Sequence, residues 1–180
     1  MPTWIAFLRA VNVGGRPFPM AELRDLLTEE GYDDVRTHIQ TGNVRLDSPI
    51  RSPRKLATAL ESVLVANRGF DVPTVVFSPH ELRRVADDAD EIAEEHPPGF
   101  GHYVELLREA PGVEGARVIE GRDLPGQRAV VRGRAVHLLF DIPYHKAKGP
   151  DAAVKRAMGV STNRNAKVVR ALAERWGEDE

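Results

Sequence analysis

The sequence predicts an α+β fold: two βαββαβ-type halves sharing one compact unit, with mixed or antiparallel sheets packed against helices. Three observations carry this expectation. Residues 4–11 are apolar on both alternating faces, the pattern of a central strand covered on both sides. Strand-like and helix-like stretches then follow in the order β-α-β-β-α-β as far as residue 77. Beyond a Pro/Gly break the order starts again, as β-α-β-β-α-α if residues 110–126 are helical.

In the first strand Trp4, Ala6, Leu8 and Ala10 point one way and Ile5, Phe7 and Val11 the other, with Arg9 interrupting the second set near the strand's end. Gly14-Gly15 permits a turn at positive φ. Pro19 suits the first turn of a helix, and Met20, Leu23, Leu26 and Leu27 form its apolar stripe up to a cap at Gly31. Residues 35–39 and 44–46 read as a hairpin around Gln40-Thr41-Gly42-Asn43. Ser52-Pro53 starts a second helix, buried through Leu56, Leu60, Val63 and Leu64 and ended at 67–69. Residues 72–77 make an internal strand. In this order of elements the first and third strands are central.

Ser78-Pro79 opens a third helix with Leu82 and Val85 facing inward. An acidic run from Asp87 to Glu95 and the breaker His96-Pro97-Pro98-Gly99 follow. They suggest a first half at 1–88, an acidic Pro/Gly linker at 89–101 and a related second half at 102–180. In the second half residues 104–107 are a strand. Residues 110–126 fit either a poor helix or a strand, because Gly112, Gly115 and Gly121 weaken both readings. Residues 130–140 read as a hairpin with a Gly133 turn. One helix ends at Gly159, and another is expected over 163–176, so the last strand of the first half is replaced by a helix.

The composition excludes several classes of function. The chain of 180 residues is 42% hydrophobic and 29% charged, enough for a core and for solubility, and its net charge of −2 provides no field toward nucleic acid or an anionic membrane. There is no Cys, which removes disulfides, thiolate nucleophiles and zinc knuckles. No basic-then-apolar leader opens the sequence and no apolar run nears the ~20 residues of a membrane span, so a cytoplasmic location is expected. Metal and cofactor are both expected to be absent, since the six His show no convergent ligand spacing. Nucleic acid is disfavoured as a partner because the third strand carries no aromatic residue for stacking a base. Neither G-x-x-x-x-G-K-[ST], G-x-G-x-x-G nor G-x-S-x-G occurs, so no catalytic residue is assigned.

Four stretches together carry a family resemblance. They are Leu8-Arg9-Ala10-Val11-Asn12-Val13-Gly14-Gly15, Met20-Ala21-Glu22-Leu23-Arg24, His38-Ile39-Gln40-Thr41-Gly42-Asn43-Val44 and Thr162-Asn163-Arg164-Asn165. Through them the sequence resembles the bacterial domain of unknown function 1697 family, over nearly the whole chain and most strongly in the first fifty residues. The resemblance implies two ferredoxin-like halves and no established activity. Its polar positions are Arg9, Asn12, Gln40, Asn43, Lys148, Arg164 and Asn165. Ala10 stands where the family usually has Gly, so an ordinary backbone is expected there. Ala166 stands where the family often has Trp, which removes a stacking platform.

The candidate ligand-binding residues are Arg9, Asn12, Gly14, Gly15, Arg16, Gln40, Asn43, Lys148, Arg164 and Asn165. The leading expectation is a small anionic ligand, bearing phosphate or carboxylate, in a basic cleft between the halves. Arg9 and Arg16 would pair with the anion and Gly14-Gly15 would donate backbone N–H groups beside a helix N-terminus. Lys148 and Arg164 would close the far side. The structural alternatives are a tight glycine turn, a hairpin turn served by Asn43 and ordinary surface charge. Two further readings stay open: an enzyme acting on a phosphorylated or carboxylated metabolite, and a protein or nucleic-acid interaction module.

Overall fold

The computed structural model describes residues 1–178, which divide into two compact units. One comprises Met1–Leu82 together with the chain from Leu172 onward, and the other is Arg83–Ala171. The first holds β1 (Thr3–Leu8), α1 (Met20–Glu29), β2 (Asp33–His38), β3 (Asn43–Asp47), α2 (Pro53–Arg68) and β4 (Thr74–Phe77). Its sheet has the order β2-β3-β1-β4 with every pair antiparallel. β1 and β3 are central, as the element order requires. Trp4, Ala6 and Leu8 pack with Leu23 and Leu27 of α1 and with Leu56, Leu60 and Leu64 of α2. On the opposite face Ile5 and Phe7 are also fully buried, and Phe7 meets Phe77 edge to face at 6.0 Å.

α2 begins as its sequence indicates: Ser52 caps it by accepting from the Lys55 N–H, Pro53 follows, and Gly69 closes it in the left-handed region. α3 (Pro79–Glu95) opens with a reciprocal capping box, Ser78 with Glu81. The acidic stretch expected to join a linker is instead the end of this helix. Ala86, Ala89 and Ile92 are buried at helical spacing, so the acids occupy the remaining faces. The non-helical break is confined to the residues just before β5.

The second unit holds β5 (Gly101–Leu107), α4 (Gly112–Glu120), β6 (Gln127–Arg132), β7 (Ala135–Phe140), a short 3-10 turn (Tyr144–Lys146), α5 (Ala152–Met158) and β8 (Ser161–Asn165). α6 (Ala166–Trp176) follows. The sheet order is β6-β7-β5-β8, again wholly antiparallel. Two readings of the sequence are settled here. Residues 112–120 are helical. The expected helix over 163–176 is a strand as far as Asn165 and a helix from Ala166, so this unit has a complete βαββαβ order. The strand escapes a hydrophobicity reading because Ser161-Thr162-Asn163-Arg164-Asn165 contains no apolar residue. It is held by pairing with β5 and by side-chain hydrogen bonds.

β1 also ends earlier than its apolar run suggests. Ala10 turns the chain at φ +57°, which corrects the expectation of an ordinary backbone at that position. An exposed Ala in the left-handed region carries a steric cost of about 1–2 kcal/mol that Gly avoids. Gly42, at φ +80°, lies under β1: a Cβ there would come within 2.7 Å of both Leu8 Cβ and Val11 Cγ2. Chemical denaturation should therefore separate the two positions. Ala10→Gly is expected to raise the unfolding free energy by roughly 0.5–1 kcal/mol, after allowing for glycine's greater unfolded-state entropy. Gly42→Ala is expected to lower it by roughly 2–4 kcal/mol through left-handed strain plus overpacking.

Candidate functional site

In the first unit the loop after β1 is closed by its own side chains. The Asn12 N–H donates to the Arg16 carbonyl at 2.8 Å and the Arg16 N–H to Val13 at 3.1 Å. Gly14 and Gly15 sit at φ +57° and +77° inside this turn, where two successive positive φ values are required. Asn12 Oδ1 accepts from the Phe18 N–H at 2.7 Å, and its Nδ2 donates to the carbonyls of Phe18 and Gln40 at 2.9 and 2.7 Å. Asn43 is fully buried and its Nδ2 donates to the His38 carbonyl and Thr41 Oγ1, both at 3.0 Å. These amides hold two loops together. Buried Phe18 and exposed Pro19 separate the glycine turn from the start of α1 at Met20. Arg16 stacks over Phe70 with its guanidinium carbon 5.5 Å from the ring centroid and donates to the Asp71 carbonyl at 3.3 Å. Arg9 and Gln40 are exposed.

The second unit contains a cavity of about 350 Å³. It opens on the sheet face shared by Glu105 of β5, Ala129 of β6, Val136 and Leu138 of β7 and Asn163 of β8. α4 contributes Ile119, and α5 contributes Val154 and Met158. Most of these residues belong to the unit's apolar cluster, so the cavity has an apolar floor. Arg122, Arg128 and Lys148 also line it, and Glu105 is its single carboxylate. Lys148 is exposed, and its ammonium has no carboxylate partner among the described residues. Arg128 pairs with Leu139, whereas its neighbour Ala129 pairs with the cavity-facing Leu138, so the Arg128 side chain leaves β6 on the face away from the cavity.

The wall after β7 is pinned at several points. Tyr144 lies 4.6 Å from Tyr103 and 5.4 Å from Phe140, centroid to centroid, and Tyr103 meets Phe140 at 5.8 Å. Gln127, with its amide turned to satisfy both groups, pairs with the N–H and carbonyl of Lys148 at 3.1 Å each. Arg122 donates to the Gly149 carbonyl at 2.9 Å. Glu105 is equally fixed: Oε1 accepts from Ser161 Oγ at 2.7 Å and Oε2 from Asn163 Nδ2 at 2.9 Å. Burial raises the Tyr144 pKa above its ordinary value, with Glu105 and Tyr103 adding to the shift, so its hydroxyl remains a donor at neutral pH.

Of the residues chosen from the sequence, Lys148 lines this cavity. Arg164 is on the opposite side of β8, buried, where Nη1 donates to Thr162 Oγ1 at 2.9 Å and to the Asn163 carbonyl at 2.7 Å. Burial lowers its pKa to about 10, against a raising effect from Glu105, and it stays charged at neutral pH. Asn165 accepts from the Lys167 N–H at 2.9 Å at the start of α6. Sequence reasoning missed Glu105, Tyr144, Gln127, Arg122, Arg128 and Asn163. One signal was present: Glu105 is the lone acid in the run His102-Tyr103-Val104-Glu105-Leu106-Leu107.

The other face of β5 and β7 carries His102 and His137, both buried, with His102 Nε2 3.1 Å from His137 Nδ1. Among the described residues, His102 Nδ1 and His137 Nε2 have no hydrogen-bond partner. Among the described residues no three His, Asp or Glu side chains come together as a metal set.

These units define an α+β chain with two four-stranded antiparallel sheets of ferredoxin-like order. The chain belongs to the family described as protein of unknown function (DUF1697), which matches residues 1–137. It is also similar to a solved structure, the conserved bacterial protein SP0830 from Streptococcus pneumoniae, at 21% identity and a TM-score of 0.74, with 99% of each chain covered. At that identity the likeness shows the fold alone. No curated protein matches the chain. Among the described residues, no helix is long and apolar enough to cross a membrane.

The histidine pair makes stability depend on pH. Burial, with Arg170 adding to it and Asp90 opposing, lowers the His102 pKa to about 4. Burial, then His102, Arg132 and Arg170, lowers that of His137 to about 3. Both rings are neutral in the folded chain, whereas the unfolded chain takes up protons below about pH 6.5. Their contribution is therefore complete above pH 6.5 and is lost as pH falls from there toward 4. Urea unfolding at pH 7.5 and 4.5 is expected to show a smaller loss in the His102→Leu/His137→Leu variant than in the natural chain; equal losses would reject this coupling.

Proposed function

We propose that the protein binds a small molecule with an apolar body and a phosphate or carboxylate group, in the cavity of the second unit. The observation that carries this is one cavity whose lining combines an apolar floor with the ammonium of Lys148, which has no carboxylate partner among the described residues. A volume near 350 Å³ lies within the range of small-molecule sites. The apolar floor supplies binding energy in proportion to the area it covers, and Lys148 supplies charge where no internal acid neutralises it. The anionic ligand expected from the sequence is retained, with Lys148 as the residue common to both arguments. The amides of Asn12 and Asn43 and the guanidinium of Arg164 are engaged in internal hydrogen bonds, which favours structural roles for them.

Thermal shift against aryl phosphates and aromatic carboxylates tests the proposal. Phenyl phosphate at millimolar concentration is expected to raise Tm by a few degrees. The Lys148→Ala variant, altered at an exposed position, should keep the unliganded Tm and lose at least tenfold in affinity, the equivalent of about 1.4 kcal/mol. An unchanged shift in that variant, or no shift with any such anion, would reject it.

A further inference from the structure

Resting on that reading of the cavity, we infer that its ligand is a ribonucleoside 5′-phosphate, with Glu105 as the residue that selects a ribose diol. A carboxylate in the lining works against a plain anion and suits a ligand that also brings hydrogen-bond donors. Each Glu105 oxygen accepts one hydrogen bond, from Ser161 Oγ at 2.7 Å and from Asn163 Nδ2 at 2.9 Å. Since an ionised carboxylate oxygen has capacity for about two, one acceptor position remains on each. Two acceptor positions about one carboxylate apart match two neighbouring hydroxyls, the geometry by which an acidic side chain takes a ribose. An ammonium group would also satisfy Glu105, but the ammonium of Lys148 on the same lining disfavours it.

The remaining lining sorts the rest of the ligand. A bare sugar phosphate would leave the apolar surface of Ile119, Val136, Leu138, Val154 and Met158 uncovered. A planar base covers such a surface, and Tyr144, held against Tyr103 and Phe140, offers a ring face at the wall. The phosphate then falls to Lys148. Because Ser161 and Asn163 hold the carboxylate before any ligand arrives, the diol meets an acceptor pair whose orientation is already set.

Calorimetry with adenosine 5′-phosphate, its 2′-deoxy analogue and phenyl phosphate tests this. The natural chain is expected to bind the ribonucleotide at least tenfold more tightly than the deoxy form. Glu105→Ala should bring the two within twofold of each other, while Lys148→Ala should weaken both equally and preserve their ratio. Glu105→Gln, which keeps one carbonyl acceptor and the side chain's shape, should retain part of the preference and guards against a folding defect in the Ala variant. Equal affinity for the two nucleotides, or binding of phenyl phosphate without either nucleotide, would overturn the ribose assignment and leave the anion site standing. Failure of all three probes to bind would overturn both.

Discussion

A carboxylate on a central strand must be satisfied where it stands, and the second unit is built around satisfying Glu105. An ionised group half removed from water and left without donors costs several kcal/mol, more than most single contacts return. Its donors are Ser161 and Asn163, alternate residues of β8 that face the same side of the sheet. This explains a strand with no apolar residue. Backbone pairing with β5 and two side-chain bonds to Glu105 hold one face, and buried Thr162 and Arg164 fill the other. The same bonds finish the sheet and fix one wall of the cavity.

The first unit solves a different problem with similar means. A strand apolar on both faces has to be terminated without exposing Leu8 or Val11, both of which are buried. The chain turns at Ala10 and Asn12 in left-handed conformations, and Gly42 lets the neighbouring hairpin loop lie directly against Leu8 and Val11. Asn12 then ties both ends of the arrangement through Phe18 and Gln40. Non-glycine residues held at positive φ persist only where surrounding contacts over-determine them. Here the over-determining contacts are three hydrogen bonds from one amide.

β5 and β7 show how strictly the two-residue period of a strand separates environments. One face presents Glu105, Val136 and Leu138 to the cavity. The other buries Val104, His102 and His137 away from it. In the histidine pair one proton lies between the rings, so either tautomer leaves one ring N–H without an acceptor, a cost of about 1–3 kcal/mol. A fold shared at 21% identity carries no chemistry of its own, so any function must lie in the residues on the cavity face.

Periodicity and turn chemistry were enough to read the α+β class, the central place of β1, the Ser52-Pro53 and Ser78-Pro79 helix starts and the Gly133 hairpin. These depend on neighbours a few residues apart, and the physics that sets them is local. The strand at 161–165, the helical end of the acidic stretch and the left-handed Ala10 could not be read in the same way. Each is decided by a partner distant in sequence or by burial that only packing creates. The candidate site divides along the same line. Asn12, Asn43 and Arg164 were chosen as polar residues in motifs, and tertiary structure spends all three on internal hydrogen bonds. Lys148 survives in the cavity, while Glu105, Asn163 and Tyr144 join it there from two strands and the 3-10 turn. A sequence shows which residues are polar. Whether a polar group is already satisfied is determined by what folding brings within three ångströms of it.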